Sequence, residues 1–529
     1  MSERKQLEQL LAHGSISRRE FVKRMTALGF AASVPAGMLA SMPAHGAAKK
    51  GGHFKLGVGA GSTTDSLDPG SWADTYMQTV GGANCNYLTE VDNTGAAVPE
   101  LAESFEASPD AKVWTIRLRQ GVEFHNGKTM EAADVIASFN HHRGKDSKSA
   151  AKGVVDPIED IKADGKNVVV FTLKGGNSDF PYIMSDYHIP ILPSENGKIN
   201  ATSGVATGGY VIKRFEPGVK TDLTRNPNYW KPNRAHFDSA EILAIKDVAA
   251  RSNALTTGEI HAMDRCDLKT VHLLKRNKDL KVYQVTGTQH YSVPMLTTVA
   301  PFDNNDVRLA LKHAVDREAL VKTILRGYGK VGNDHPISPA NKFFNKELPQ
   351  RGYDPDKAKF HLKKAGMSSL SVDLSAADAA FAGAVDAAVL YKEHAARSGI
   401  TINVVREPND GYWSNVWMKK PWSMCYWGGR PTEDWMFSIA YAADANWNDT
   451  FWKHDRFNKL LVEARAELDE SKRRTLYYEM QAIVHNEGGV VVPMYASYVG
   501  AMNQRVQHDK LAANWDVDGL RGVERWWFA

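Results

Sequence analysis

Short runs of apolar residues at strand and helix periods mark most of the mature chain. His53 to Val58 is a compact apolar run with the length of a strand. Val113 to Leu118 alternates apolar and polar side chains, and Val168 to Leu173 is a further apolar run; both read as strands. Between them, Thr129 to Asn140 carries Ala132, Val135, Ile136 and Phe139 on one face of a helix. A second amphipathic helix places Val307, Ala310, Leu311, Ala314 and Val315 at helical spacing, with Asn305 or Asp306 as its cap. Residues 455–487 predict a helical pair, built on Leu460, Leu461, Ala464 and Leu468 and then on Leu476, Met480 and Ile483. Val490 to Pro493 is a short apolar strand, and Tyr495 and Tyr498 follow it. Turns fall at Leu67-Asp68-Pro69-Gly70, at Asn126-Gly127 and at Asn226-Pro227-Asn228. Trp427 to Asp434 (WGGRPTED) breaks every period and reads as a loop.

The N-terminus changes the picture of where the chain works. Ser17-Arg18-Arg19-Glu20-Phe21-Val22-Lys23 precedes a mildly apolar run from Met25 to Met42, then Pro43 and small residues that allow cleavage after Gly46 or Ala48. The paired arginines before Phe21 and Lys23 form a twin-arginine export pattern. Residues 1–48 are therefore expected to be removed on export to the periplasm. With no cysteine at the cleavage site no lipid anchor is expected, and no later apolar run is long enough to span a membrane. The 529 residues are 43% hydrophobic and 24% charged, an ordinary globular composition with room for two or three domains. The formal charge of +4 includes six Lys/Arg and three Asp/Glu in residues 1–48, leaving 59 against 58 in the remainder. Neither that balance nor any basic-aromatic stripe points to nucleic acid. Cys85, Cys266 and Cys425 are far apart and form no metal or redox spacing, and whether two of them pair is not decided by sequence. Gly57-Val58-Gly59-Ala60-Gly61 lacks the third glycine and the lysine of nucleotide loops. No cofactor or metal is implied.

Candidate chemistry concentrates between Trp413 and Trp452, where seven of the 13 tryptophans lie among Tyr412, Tyr426, Arg430, Glu433 and Asp434. Flat rings with a few fixed charges suit a small-molecule pocket, the rings burying the ligand and the charges orienting it. Arg430 offers a planar fork for a carboxylate or phosphate, unless it shapes the loop by pairing with Glu433 or Asp434. Further candidates are Trp413, Tyr412, Trp427, Asp378, His290 with Tyr291, and Trp72 with Tyr76.

Four blocks, in order along nearly the whole mature chain, carry a resemblance. Pro99-Glu100-Leu101-Ala102-Glu103-Ser104-Phe105 leads to Trp114-Thr115-Ile116-Arg117-Leu118-Arg119, Gly121-Val122-Glu123-Phe124-His125-Asn126-Gly127 and Asp134-Val135. Thr207-Gly208-Gly209-Tyr210 precedes Leu223-Thr224-Arg225-Asn226-Pro227-Asn228-Tyr229-Trp230. Pro301-Phe302-Asp303 leads to Val307-Arg308-Leu309-Ala310 and Asp316-Arg317, and Tyr353-Asp354-Pro355-Asp356-Lys357-Ala358 closes the series. The chain thus resembles the extracytoplasmic solute-binding proteins of family 5, the peptide- and nickel-type substrate-binding components of ABC importers. The resemblance implies an α/β periplasmic binding protein of type II, three-lobed (cluster C), with mixed sheets and a hinge. Its main lobe would comprise 49–95, 206–300 and 490–529. Residues 96–205 would be an inserted lobe, and 301–489 a third lobe closing over the ligand cleft. Peptide-binding members place an Asp after the loop Trp to pair with the ligand's amine; aligned from Trp427, that position is Arg430. Dipeptide binders carry an Arg in an earlier loop, where this chain has Ala376 to Phe381 with Asp378. The implied partners are a small solute and the importer's permease subunits, with the chain a monomer. A peptide or modified amino acid is the expected solute, with an opine or an oligosaccharide as alternatives in the same fold. Arg308 is expected to be a buried ion-pair partner.

An exported glycoside-acting enzyme would need an opposed carboxylate pair, which adjacent Glu433 and Asp434 do not furnish. A sensory subunit or a metal or haem carrier would show as a metal or chromophore in the purified protein.

Overall fold

The computed structural model describes residues 48–409 and 412–529, so all of the leader but Ala48 lies outside the described residues. His53–Val58 is covered by protein on both faces and lies inside a mixed nine-stranded sheet. Along the sheet run Tyr210–Glu216, Lys220–Arg225, Ser239–Ala244, His53–Val58, Ala262–Met263, Val490–Asn503, Leu280–Pro294 and Cys425–Trp427. Gly329–Val331 joins the side of Val490–Asn503. His53–Val58 is parallel to Ser239–Ala244, and its Phe54 stacks on Phe237 at 4.4 Å.

Two strands are much longer than average. Leu280–Pro294 and Val490–Asn503 run antiparallel from the pair Leu280 with Asn503 to the pair Pro294 with Val490, on the order of 50 Å of extended chain. The hydrophobic pattern caught only the first four residues of the second strand, because Ser497 and Gly500 interrupt its apolar run. Gly500 is required there: a Cβ would lie 2.2 Å from the Tyr283 ring that crosses it. The register shifts between Thr286 and His290 and again between Tyr291 and Val293.

Ala102–Ala107, Val113–Leu118, Val168–Leu173 and Ile158–Ala163 form a separate antiparallel sheet. Its helix, Ala132–His141, begins three residues later than the apolar spacing predicts. Glu131 takes the cap position, and its backbone N–H donates to the Asp134 carboxylate at 2.9 Å. Leu370–Ala376 and Ile400–Arg406 make a parallel pair, with the helix Ala384–Ala396 between them in sequence. The predicted helical pair is Asp455–Ala466 and Glu470–Glu487.

The apolar side chains gather in distinct cores. Phe54, Leu56, Tyr76, Tyr210, Ile242 and Trp526 belong to one. Trp114, Val135, Phe139 and Phe171 belong to a second. Leu311, Leu374, Ile402 and Trp422 form a third, beside which Trp427, Phe437, Phe457 and Tyr477 form a fourth. The two long strands tie these together, because Tyr283 and Met502 enter the first core while Val293 and Met494 enter the third. Each such buried side chain contributes about 1.5–3 kcal/mol relative to exposure.

Arg308 corrects one expectation. Its guanidinium donates to the carbonyls of Phe302 (2.8 Å), Asp303 (3.2 Å) and Glu487 (2.8 Å), so it caps backbone rather than pairing with a carboxylate. The buried ion triad lies nearby instead: Asp334 accepts from Arg317 at 2.7 Å and pairs with the Arg351 guanidinium, whose Nε is 2.8 Å away.

Candidate functional site

Cys425–Trp427 adds a short edge to Leu280–Pro294, setting His290 opposite Trp427 and Tyr291 opposite Tyr426. Strand alternation buries Cys425 and Trp427 and turns Tyr426 outward, 40% exposed. Tyr291 stacks on Phe381 with centroids 4.0 Å apart, and Trp413 meets Tyr426 edge-on at 5.6 Å. The chain then turns at Gly428-Gly429. A Cβ on Gly429 would lie 1.7 Å from Thr288 Oγ1, so only glycine lets the loop approach this close to the long strand. Thr432 ends the turn by capping the helix Glu433–Ala440, its hydroxyl accepting from Trp435 N–H at 3.2 Å.

Arg430 projects from that turn. Its Nη1 donates to the carbonyls of Gly428 and Gly429, 3.1 Å each, and among the described residues it has no carboxylate partner. Burial lowers its guanidinium pKa, against the pull of Tyr187, Asp186, Tyr498 and Tyr426 nearby. Tyr187 meets Trp515 edge-on at 5.7 Å, with Gln78 beside its phenol. Tyr498 lies over Gly287, where a Cβ would fall 2.4 Å from its ring, and feels both Arg265 and Arg430. Arg265 has a left-handed backbone (φ 45°), and its side chain is 57% exposed. It donates to Asp516 (3.1 Å) and Thr75 (2.7 Å). A positive φ at a residue that is not glycine is strained, and such residues gather at ligand clamps.

The structure therefore brings together Arg430, Tyr291 and Trp413 of the sequence candidates, with Asp378 exposed at the end of the Leu370–Ala376 strand. The others have different work. Glu433 is buried and accepts from Phe343 N–H at 2.6 Å, its carboxyl pushed up to about 7 by burial. Asp434 pairs with Arg465 at 3.0 Å and is pushed up to about 6, again by burial. Tyr412 donates to Met424 O at 2.7 Å, and Trp427 donates to Asp449 at 3.1 Å; both are core. Trp72 donates to Ser66 O at 3.0 Å, and the Tyr76 hydroxyl meets Thr221 Oγ1 at 2.8 Å, deep in the first core. His290 is fully buried among three strands, its imidazole pushed down to about 3 by burial. Arg265, Tyr187, Gln78 and Trp515 come from four distant segments and match no spacing rule, so sequence patterns do not single them out.

The tryptophan cluster divides accordingly. Trp422, Trp427 and Trp452 are core, whereas Trp413 and Trp447 are exposed. Asp449 accepts from both Trp417 (3.2 Å) and Trp427 (3.1 Å), which fixes two of the indoles. Beside the Arg430 loop lies a cavity of about 830 Å³, bounded by the strand Lys281 to Thr286, by Thr288 and Pro431, by Asn93 to Gly95, by Lys330 and Lys342, and by His508 to Leu511.

Separate α/β cores joined by two long strands, over which aromatic side chains and a guanidinium converge from four or more segments, are the architecture of a protein that closes on a small solute. Comparison with known proteins agrees. Residues 96–449 match the model of "Bacterial extracellular solute-binding proteins, family 5 Middle". The "Di/tripeptide-binding protein 1" of Pseudomonas aeruginosa is 25% identical over 460 residues, covering 80% of this chain and 85% of that one. The glutathione-binding protein GsiB of Pectobacterium atrosepticum is 26% identical over 442 residues, with 80% and 85% covered. Among solved structures, the ABC transporter-associated periplasmic binding protein DppA of Helicobacter pylori, in complex with the peptide STSA, superposes with a TM-score of 0.73 at 24% identity. It covers 91% of this chain and 99% of that one. The chain belongs to the bacterial extracellular solute-binding proteins of family 5, and its part is to hold a solute.

Proposed function

We propose that the protein captures a peptide or peptide-like solute outside the cytoplasm and binds an acidic group of it on Arg430. The observation that carries this reading is the Arg430 guanidinium itself. It is half-buried, forms no ion pair among the described residues, and has Asp186, Tyr187, Tyr498 and Tyr426 around it. A half-buried guanidinium held in no ion pair is open to a charge-assisted hydrogen bond from a carboxylate or phosphate. The relatives named for di- and tripeptides and for glutathione support a peptide-like body. Tyr291, Phe381, Tyr426 and Trp413 would cover its apolar part. Residues 49–95, 206–300 and 490–529 would act as one lobe, 96–205 as a second and 301–489 as a third. Closure of the third on the others would seal the solute in and offer the closed form to the permease. Export by the twin-arginine route, as a monomer without a lipid anchor, completes the proposal.

The test is to identify what co-purifies by native mass spectrometry and then to titrate Arg430→Ala with it. Loss of charge-assisted hydrogen bonds of about 1.5–3 kcal/mol weakens binding by roughly 10- to 100-fold. The melting temperature of the empty variant should stay near that of wild type. Retained affinity with a large loss of stability would mean that Arg430 only shapes its loop.

A further inference from the structure

The cavity beside the Arg430 loop is not accounted for by the aromatic cleft. Its volume of about 830 Å³ falls within the roughly 300–1,000 Å³ of small-ligand sites. One wall is the strand Lys281–Thr286, which pairs with Val490–Asn503 on one side only; no strand covers its other edge among the described residues. An uncovered edge offers backbone donors and acceptors to any extended chain laid beside it.

The charge of the walls is one-sided. Lys281, Lys330, Lys342 and Lys510 line the cavity, against a single carboxylate, Asp509. Lys342 is engaged by Glu470 at 2.5 Å, whereas Lys281, Lys330 and Lys510 have no acidic partner among the described residues. Burial lowers the pKa of Lys281, and no carboxylate offsets it. Pro431 and Thr288 line the cavity, while their neighbours Arg430 and Gly429 form the turn of the cleft, so the two spaces adjoin at that turn.

We propose that this compartment holds the remainder of the solute that Arg430 anchors, and that the solute is an extended acidic peptide. Its backbone lies along the open edge of Lys281–Thr286, and its carboxylates face Lys281, Lys330 and Lys510. Six residues of strand span about 20 Å, which matches a ligand of four to six residues rather than two. The inference rests on the peptide-like reading given above but fails separately from it.

Calorimetric titration decides it, with an alternating Ala/Glu hexapeptide, the matching Ala/Gln hexapeptide and the dipeptide Ala-Glu as probes. The wild type should bind the Glu hexapeptide about tenfold or more tightly than the Gln hexapeptide, and high salt should narrow the gap. Lys281→Gln with Lys510→Gln should remove the preference and leave affinity for the Gln hexapeptide unchanged. Arg430→Ala should weaken both hexapeptides. The compartment is refuted if the wild type shows no preference, or if the double lysine variant keeps it. Binding of the dipeptide alone would sink the compartment and leave the Arg430 reading standing. If no peptide binds, both fall.

Discussion

Asp179 and Arg473 form a buried contact, and replacing Asp179 by asparagine tests whether it holds the 96–205 segment to the helix Glu470–Glu487. Asp179 lies in the 96–205 segment and Arg473 on the helix Glu470–Glu487. Their side chains meet at 2.6 Å, each no more than 10% exposed. Beside them, the N–H and hydroxyl of Ser178 both donate to Arg465 O, at 2.7 and 2.8 Å. Arg473 is packed over the rings of Phe343 and Tyr477, so it stays in place when its partner changes. Removing one member of a buried pair costs about 3–5 kcal/mol, because the other charge is left without compensation. Here the molecule has an escape: separating the two segments hydrates Arg473. The cost therefore falls on closure, and a shift of about 3 kcal/mol lowers apparent affinity by roughly two orders of magnitude, since only the closed form binds tightly. Calorimetry gives the affinity, and small-angle scattering of the ligand-free variant should show a larger radius of gyration. A variant with unchanged affinity and unchanged dimensions but a markedly lower melting temperature would refute this reasoning and make the pair a static bond.

Three further outcomes follow from the same geometry. Glu433, at about 7 in the fold against an ordinary 4.5, keeps a proton that the unfolded chain releases. Its unfavourable contribution is absent below about pH 4.5 and grows to on the order of 3 kcal/mol as pH rises to 7. Glu433→Gln should therefore melt above wild type at pH 8 and with it near pH 4, as followed by calorimetry. Gly429→Ala drives a methyl into Thr288 Oγ1 and should cost about 1–3 kcal/mol in thermal stability. Adding Thr288→Ala removes the nearest obstructing atom and should restore part of that loss. Asp334→Asn leaves Arg317 and Arg351 buried without a counter-charge, for a loss of about 3–5 kcal/mol in denaturant unfolding.

The ordered motif blocks made the family legible because they encode turns, caps and core positions that every copy of the fold must satisfy. Asn226-Pro227-Asn228 and Asn126-Gly127 are turns whose chemistry is local, so sequence alone placed them. The site was legible only in part. Arg430, Glu433 and Asp434 are neighbours in sequence, yet the cap at Thr432 reverses the chain between them. Arg430 stays in the loop at the cleft, while Glu433 and Asp434 enter the first helical turn and face Phe343 and Arg465. Nothing in the residue types says on which side of a turn a carboxylate will fall. The tryptophans misled for a related reason: a strand of three residues buries Trp427 and exposes Tyr426, a distinction set by pairing with Leu280–Pro294. Arg265 was invisible because its exposure depends on a backbone conformation that no pattern reports.

The apolar run of the long strand pair is shorter than the pair itself, and its glycines have a packing reason: Gly500 and Gly287 admit the rings of Tyr283 and Tyr498. Tyr283 thereby reaches the first core beside Trp526, and Tyr498 the surroundings of Arg430.

All three thiols, Cys85, Cys266 and Cys425, are unpaired and buried, those of Cys85 and Cys266 pushed up to about 12 by burial. A thiol that does not ionise at neutral pH reacts slowly with maleimides and nitroxide reagents. The natural sequence is therefore already a silent background for site-specific labelling. One cysteine introduced on either rim of the cleft would carry a dye or spin label without first stripping out the native ones, and the distance between the rims could then be read molecule by molecule as solute is added.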